Sequence, residues 1–191
     1  MDDTTYLNGQ LLLAMPSIGD QRFERAAVYI CAHDAKGAMG IVINHVMEGL
    51  EFGSLLKDLE IQSTITLPKR FEHLPVRRGG PVDTARGFLI HSQDFKQPDT
   101  IEVQDNIFVT GTIDALTSLT EATAPQKALF ALGYAGWQEG QLEHEVRQNA
   151  WLTLPATPEL VFSDNYEAVW NRALSAIGVT PAQLSALSGN A

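Results

Sequence analysis

The chain has 191 residues, of which 45% are hydrophobic and 19% are charged, and its formal net charge is −10 at pH 7. This length and composition are typical of one globular domain with a hydrophobic core of its own. The negative charge repels phosphate backbones and anionic lipid, so it argues against a broad surface for nucleic acid or membrane.

The expected compartment follows from the cysteine count and from the first residues. A single cysteine, Cys31, cannot form an internal disulfide, so a reducing environment suits the fold. The acidic start MDDTTYLNGQ lacks the basic region and apolar core of a signal peptide. The longest apolar runs are shorter than the roughly 20 residues that cross a bilayer. We therefore expect a cytoplasmic protein without a membrane segment.

The first half of the chain is predicted to be mainly strands. GQLLLAMP is a short apolar strand, and SIGDQRFERA is a turn or short helix that Ser17 or Asp20 caps. AAVYICAHD and GAMGIVINHV flank DAKG, a pattern typical of a β-hairpin. The apolar spacing in EFGSLLKDLEI predicts a helix. Two further strands, PVRRGGPV and ARGFLIHS, are expected to flank a turn at the Asp-Thr pair at 83–84.

The second half begins with TIEVQDNIFVTG, predicted to form a hairpin about its Asp-Asn pair, and with the helical segment TIDALTSLTEA. ALFALGYAG is apolar throughout, as expected of a strand covered on both faces. WLTLPA and ELVFS are predicted as short strands bounded by prolines. The clearest helix is NYEAVWNRALSAIG, with Asp164 and Glu167 as a capping box and Gly178 as its stop. A last short helix is predicted from the Thr-Pro pair at 180–181.

This order of elements predicts an α+β fold, because hairpins outnumber βαβ units and helices interrupt them irregularly. We expect one domain over residues 1–191, with a mostly antiparallel, strongly curved sheet, helices outside it, and a peripheral tail after about residue 179. No G-x-G-x-x-G or G-x-x-x-x-G-K-[ST] motif is present, so no nucleotide-binding loop and no cofactor are expected.

The stretch GYAGWQEGQLEHEVRQNAW brings together two carboxylates, a histidine and two tryptophans, and so has the composition of an active site. On a helix that starts after Gly140, however, His144 lies opposite the apolar face and points to water. Glu143 and Glu145 then flank the apolar stripe on its two sides and cannot share one proton. Glu143 is expected to pair with Arg147, four residues on. We interpret the segment as architecture, with the tryptophans packed under the ends of the helix.

A thiol and an imidazole stand close together in YICAHD. Side chains alternate along a strand, so Cys31 and His33 are expected on one side with Cα atoms ~6.5 Å apart. This separation is long for a nucleophile and its base, and a free cysteine is usually a small core residue. The pair is therefore a weak catalytic candidate, with His91 as another histidine for Cys31, and regulatory oxidation of the thiol is an alternative. The histidine spacings contain no metal-binding motif, so no metal is expected.

The segment RRGGPVDTARGFLIHS is the strongest candidate for ligand binding. Gly79 and Gly80 allow backbone conformations that are closed to other residues, and they expose amide groups. If Arg77, Arg78 and Arg86 converge on this turn, they bind a carboxylate or phosphate. The alternative is a β-bulge or tight corner in a curved sheet, which also requires paired glycines but binds nothing.

Several motifs together resemble the YqgE/AlgH family of bacterial proteins: MPSIGDQRF, VYICAHD…GAMGIVINH, RRGGPVDTARGFLIHS and LGYAGWQEGQLEHEVRQNAWL. The match runs from about Leu7 to Gly178. It implies an α+β fold with a bifurcated sheet curled into a pseudo-barrel, no established biochemical activity, and a loose link to transcriptional regulation. Ala26 stands where family members often have serine, so no mechanism can depend on that hydroxyl here. Five polar residues fit the family pattern: Cys31, His33, Arg86, His91 and Glu143.

These observations favour a non-enzymatic cytoplasmic protein with a binding or regulatory role. Its expected partner is a small anionic ligand or another protein, bound near Arg77, Arg78, Gly79, Gly80 and Arg86. The alternative is a small hydrolase or transferase that uses Cys31 with a nearby histidine. Direct DNA binding is the third hypothesis, and no basic recognition helix supports it.

Overall fold

The structure, a computed structural model, describes residues 6–61, 67–111 and 124–187. Within these residues ten strands form a single sheet. The strands are β1 Gln10–Ala14, β2 Ala27–Asp34, β3 Gly37–Val42, β4 Val46–Glu51, β5 Pro75–Arg78, β6 Val82–Ser92, β7 Ile101–Gln104, β8 Ile107–Thr110, β9 Ala128–Gln138 and β10 Trp151–Pro155.

Six α-helices in the described residues connect or follow these strands. They are α1 Phe52–Asp58, α2 Lys69–Glu72, α3 Gln141–Arg147, α4 Pro158–Val161, α5 Val169–Ala176 and α6 Pro181–Leu187. Short 3-10 turns lie at Pro16–Ile18, Gln21–Phe23 and Tyr166–Ala168.

The sheet divides at β9, which is the central strand. Its main path runs β10-β1-β2-β3-β9-β6-β8-β7, and every neighbouring pair on that path is antiparallel. The first half of β9 also pairs with β5, in parallel, and β5 pairs with β4. The α+β class and the mostly antiparallel, curved sheet that the order of elements predicts are confirmed, and so is the bifurcated sheet that the family resemblance implies.

Three clusters of buried side chains fill the two sides of the sheet. The largest contains Tyr29, Ile41, Ile90 and Trp170, and α5 covers it. A second lies under α1 and α2, and a third lies under α3. The chain after residue 179, expected to be peripheral, also contributes to the core, because Leu184 of α6 is buried in the largest cluster.

Some local predictions are wrong, and each has a physical reason. The first three residues of ELVFS, predicted as a strand, belong to α4, because Thr157 caps the start of this helix with its side chain and Pro158 occupies the first turn. The expected turn at 83–84 lies inside β6, and the chain reverses earlier, at the paired glycines before it. The 3-10 turn before α5 is capped by the Asn165 side chain, not by Asp164.

Other local predictions are confirmed or fall elsewhere. The β2–β3 and β7–β8 hairpins form as predicted, with Asp105 and Asn106 both at positive φ in the second turn. Asp20, one of the two expected caps, accepts a hydrogen bond from the Arg22 amide. Strand β4 and helix α2 were not predicted. The predicted helix TIDALTSLTEA lies outside the described residues.

Candidate functional site

A β-bulge in β2 separates the thiol and imidazole that the sequence places together. The register between β2 and β3 shifts between Ile30 and Ala32. As a result Cys31 packs in the cluster of Tyr29, while His33 pairs with Ala38, which packs against the cluster under α3. The expectation that Cys31 and His33 share one side is wrong, because the extra residue reverses the alternation.

The environment of Cys31 is that of a core residue. Its side chain is buried, and its thiol lies 3.6 Å from the backbone oxygen of Tyr29. Burial raises the pKa of the Cys31 thiol to about 12, so almost no nucleophilic thiolate exists at neutral pH. A catalytic thiol requires the opposite shift.

We therefore expect iodoacetamide to alkylate native Cys31 at pH 7.5 at least about 1,000-fold more slowly than the unfolded chain. Raising a thiol pKa by three units from 9 lowers its thiolate fraction by about that factor, and burial slows access further. Mass spectrometry of quenched samples, with and without 8 M urea, measures both rates. Comparable rates in the two samples would show that the thiol is accessible and ionised.

His33 is held by both ring nitrogens. The amide of Leu7 donates to Nδ1 at 3.0 Å, so in the neutral ring Nε2 carries the proton and donates to Glu143 Oε1 at 3.1 Å. Glu143 on α3 thus pairs with His33, and not with Arg147 as the helix spacing predicts. The imidazole is almost inaccessible, with 1% of its side chain exposed, so it links α3 and the N-terminal segment to β2.

His91 is also part of the internal architecture. It is fully buried, Nδ1–H donates to the backbone oxygen of Ser92, and Nε2 accepts from the Thr110 hydroxyl at 2.8 Å. Burial lowers the pKa of His91, which keeps the ring neutral. Its neighbour Ile90 belongs to the cluster of Cys31, so alternation along β6 places His91 on the other side of the sheet. Neither His33 nor His91, the two candidate bases, therefore lies beside the thiol.

The carboxylate of Glu145 joins the two tryptophans of the GYAGW…NAW stretch. The indole N–H groups of Trp137 and Trp151 both donate to its Oε2, each at 2.8 Å, and Gln141 donates to its Oε1. The two indoles meet edge to face at 5.9 Å between ring centres. His144 is exposed, as predicted. Glu143 and Glu145 bind different partners, as expected of two carboxylates that do not share one proton.

Gly79 and Gly80 form the corner between β5 and β6, where the chain passes against β9. A Cβ atom on Gly79 would overlap with the carbonyl oxygen of Gly133, and one on Gly80 would overlap with the Tyr134–Ala135 peptide. The Gly79 amide donates to the carbonyl of Leu132. Glycine is therefore required at these two positions because the two backbones approach each other too closely for a Cβ atom.

The three arginines of this region point to different surroundings. Arg77 is buried, donates to the carbonyls of Ile43 and Pro75, and stacks on the Tyr166 ring at 4.7 Å. Arg86 is exposed, lies over the Phe88 ring and donates to the carbonyl of Gly111. The expected convergence of Arg77, Arg78 and Arg86 on the glycine corner is therefore wrong, because β5 turns Arg77 inward.

Arg78 lines a surface cavity of about 270 Å³ beside the corner, and Arg77 and Arg86 do not line this cavity. We call it the Arg78 cavity. No described residue accepts a hydrogen bond from the Arg78 guanidinium or pairs with its charge. The cavity combines polar and apolar walls, which include Arg22, His45, Arg78, Gly80, Pro81 and Leu132.

His45 supplies a neutral polar group to this cavity. Its Nε2 bonds to the backbone oxygen of Glu24 at 2.9 Å, so in the neutral ring Nε2 donates and Nδ1 is left as an acceptor. Burial lowers the pKa of His45, and the charge of Arg78 lowers it further. Arg22, which also lines the cavity, pairs with Asp20 at 2.7 Å. Sequence reasoning missed both residues, because nothing in their spacing places them beside Arg78.

Two further features of the described residues bear on function. No group of three or more His, Cys, Asp or Glu side chains in residues 6–61, 67–111 and 124–187 is placed to hold a metal ion. Over the same residues, no helix combines the length and apolar character that crossing a membrane requires.

Together the fold and the cavity define a single-domain α+β protein with a curled sheet and a small cleft at its corner. The chain belongs to the AlgH-like family (DUF179), whose model matches residues 11–182. It is 46% identical to a UPF0301 protein of Methylobacterium sp. (strain 4-46), over 100% of this chain and 97% of that one. A UPF0301 protein of Bradyrhizobium sp. (strain BTAi1) is 48% identical, over 97% of this chain and 88% of the relative. The resemblance to the YqgE/AlgH family is confirmed.

Two solved structures share the fold. The solution structure of the AlgH protein from Pseudomonas aeruginosa is 36% identical, with a TM-score of 0.76 over 97% of this chain and 96% of that one. The crystal structure of protein DIP2367 from Corynebacterium diphtheriae has a TM-score of 0.66 at 17% identity, over 96% and 92% of the two chains. The second likeness concerns the fold alone.

Proposed function

We propose that this protein is a non-enzymatic binding or regulatory module of the cytoplasm, and that its Arg78 cavity holds the carboxylate or phosphate group of a ligand. The observation that carries this proposal is the Arg78 guanidinium, which lines a concave site without a described hydrogen-bond or charge partner. A guanidinium binds carboxylates and phosphates in two-point geometry, and it stays charged at any physiological pH.

The surroundings of Arg78 support an anion in this position. The chain carries a net charge of −10, yet Arg22 and Arg78 both line this cavity. Arg22 pairs with Asp20 in an exposed geometry, and such pairs contribute little to stability, so an incoming anion can compete with that carboxylate. Val42, Met47 and Leu132 add apolar contacts beside the charged groups.

The separation of the reactive groups supports a role other than catalysis. Cys31, His33 and His91 are buried among different neighbours, and none of them lines the Arg78 cavity. A regulatory role would act through a ligand or a protein partner, because a chain of −10 net charge repels the DNA backbone.

We expect inorganic phosphate or benzoate to raise the melting temperature of the wild-type protein. The Arg78→Ala variant should bind the same anions at least tenfold more weakly, because it loses a charge-assisted pair of hydrogen bonds. Arg86→Ala is the matched control, since Arg86 is exposed but lies over Phe88, outside the cavity. Thermal shift and isothermal titration at low ionic strength measure both effects. Equal binding by the Arg78→Ala variant and the wild type would refute the proposal.

A further inference from the structure

A second cavity adjoins the Arg78 cavity across Arg22 and Pro81, which line both. Its volume is about 340 Å³, and we call it the aromatic cavity because Phe23, Trp137 and Trp151 form part of its walls. Its lining also includes the polar residues Ser17, Asp20, Arg22, Gln141 and Glu145. The two indole N–H groups are occupied by Glu145, so the tryptophans present only ring surface to an occupant. These walls suit an apolar or aromatic side chain.

One wall of the aromatic cavity is a strand edge. Residues 135–138 of β9 pair with β3 on one side, whereas the last described pairing on the other side joins Tyr134 to Val82 of β6. Pro81, the next residue along, has no N–H to continue the ladder. Beyond Tyr134, no described strand covers this side of β9.

The open edge presents the backbone of Gly136. The amide N–H of Gln138 donates to the side chain of Gln141 and not to β3. The backbone N–H of Gln138 therefore points to the side of β9 that lies away from β3. Strand alternation then places the N–H and C=O of Gly136, two residues earlier, on the same open side. Gly136 is exposed and lines the aromatic cavity. A backbone donor and a backbone acceptor therefore lie beside the aromatic cavity.

We propose that this edge binds an extended peptide segment of a protein partner, which adds a strand beside Gly136. An apolar side chain of the segment fills the aromatic cavity, and a carboxylate of the same segment reaches Arg22 and Arg78. The carboxylate contact rests on the proposed function of the Arg78 cavity, whereas the strand contact is independent of it.

Chemistry and the position of the two cavities both favour a peptide as the occupant. Strand addition uses the backbone groups of both chains for affinity and side-chain pockets for specificity. The two cavities adjoin through Arg22 and Pro81, so a segment that leaves the edge at Gly136 can pass from the aromatic cavity into the Arg78 cavity. Two arginines at one end select an acidic residue or a C-terminal carboxylate.

The test titrates hexapeptides into the full-length ¹⁵N-labelled protein. Thr alternates with Val or Phe in these peptides, and each peptide carries a single Glu at its first or its last position. We expect shifts of the Gly136 amide and of the Trp137 and Trp151 indole N–H signals. Gly136→Pro removes the edge donor and should weaken binding at least tenfold. Gly136→Ala is the matched control, because its Cβ would meet only the Tyr134 ring at 3.5 Å and its N–H remains.

A second arm does not depend on the folding of a variant. Peptides N-methylated at alternate residues lose the donors that a strand requires and should not bind the wild-type protein. If no peptide shifts the Gly136 amide, or if Gly136→Pro and the N-methylated peptides bind normally, strand addition is wrong. In that case the phosphate titration still tests the proposed anion site independently.

The carboxylate contact has its own comparison. Replacing the peptide Glu by Gln should lower the affinity of the wild-type protein at least fivefold and leave that of Arg78→Ala unchanged. If Glu and Gln peptides bind the wild type equally while Gly136→Pro still abolishes binding, the strand site stands and the carboxylate contact is wrong.

Discussion

Replacing Glu145 by Ala should lower the free energy of unfolding by roughly 2–6 kcal/mol, because it leaves two buried indole N–H groups without an acceptor. Trp137 and Trp151 are 7% and 3% exposed, so water has little access to replace the lost bonds. Each orphaned donor costs about 1–3 kcal/mol, and the freed Gln141 amide adds little because it is exposed.

Urea unfolding followed by circular dichroism measures this loss. Glu145→Gln should lose less than half as much unfolding free energy as Glu145→Ala, since its amide oxygen still accepts hydrogen bonds from the indoles. Glu139→Ala, at an exposed position just before α3, is the control and should change stability by less than about 0.5 kcal/mol. A similar small loss for Glu145→Ala would mean that the shared acceptor contributes nothing to the fold.

Gly79→Ala should destabilise the protein by at least about 3 kcal/mol, because its new Cβ would overlap with backbone and not with a flexible side chain. The atom it would meet is the carbonyl oxygen of Gly133, in the centre of the sheet. Relief requires β5 and β9 to separate, which stretches the hydrogen bond from the Gly79 amide to Leu132. The effect should reach the neighbouring Arg78 cavity, so anion affinity should fall as well.

Gly140→Ala is the matched control for Gly79→Ala. Gly140 has a φ of +71 but nothing within 4 Å of an added Cβ, so it isolates the cost of left-handed backbone, about 1–2 kcal/mol. Thermal and urea unfolding of the two variants compare the contributions directly. If Gly79→Ala costs no more than Gly140→Ala, the corner can relax and close approach is not the reason for its glycines.

The candidate site shows why sequence reasoning located the right region but not the right residues. Paired glycines followed by proline predict a tight corner in the backbone, and the corner between β5 and β6 lies at these residues. The direction of each arginine depends on the strand to which it belongs. Successive side chains of β5 point to opposite faces, so Arg77 is buried against Tyr166 whereas Arg78, one residue on, faces the cavity.

The sequence by itself determined the features that local interactions control. These include the tight turns of the two predicted hairpins, the helix after Gly140 with His144 on its exposed side, and the buried strand β9. Their residue types set backbone conformation and amphipathic period within a few positions, so no distant contact is required. The α+β class followed, because the order of such elements restricts the possible layers.

Only the tertiary structure decided how distant segments meet. The bulge that separates Cys31 from His33 forms against β3, and the acceptor shared by Trp137 and Trp151 exists only when α3 lies across the sheet. Arg22 and His45 precede Arg78 by 56 and 33 residues in the sequence but line the same cavity. No short sequence motif indicates a contact over such separations. Such contacts depend on register and packing over the whole sheet, because a shift of one residue moves a side chain to the opposite face.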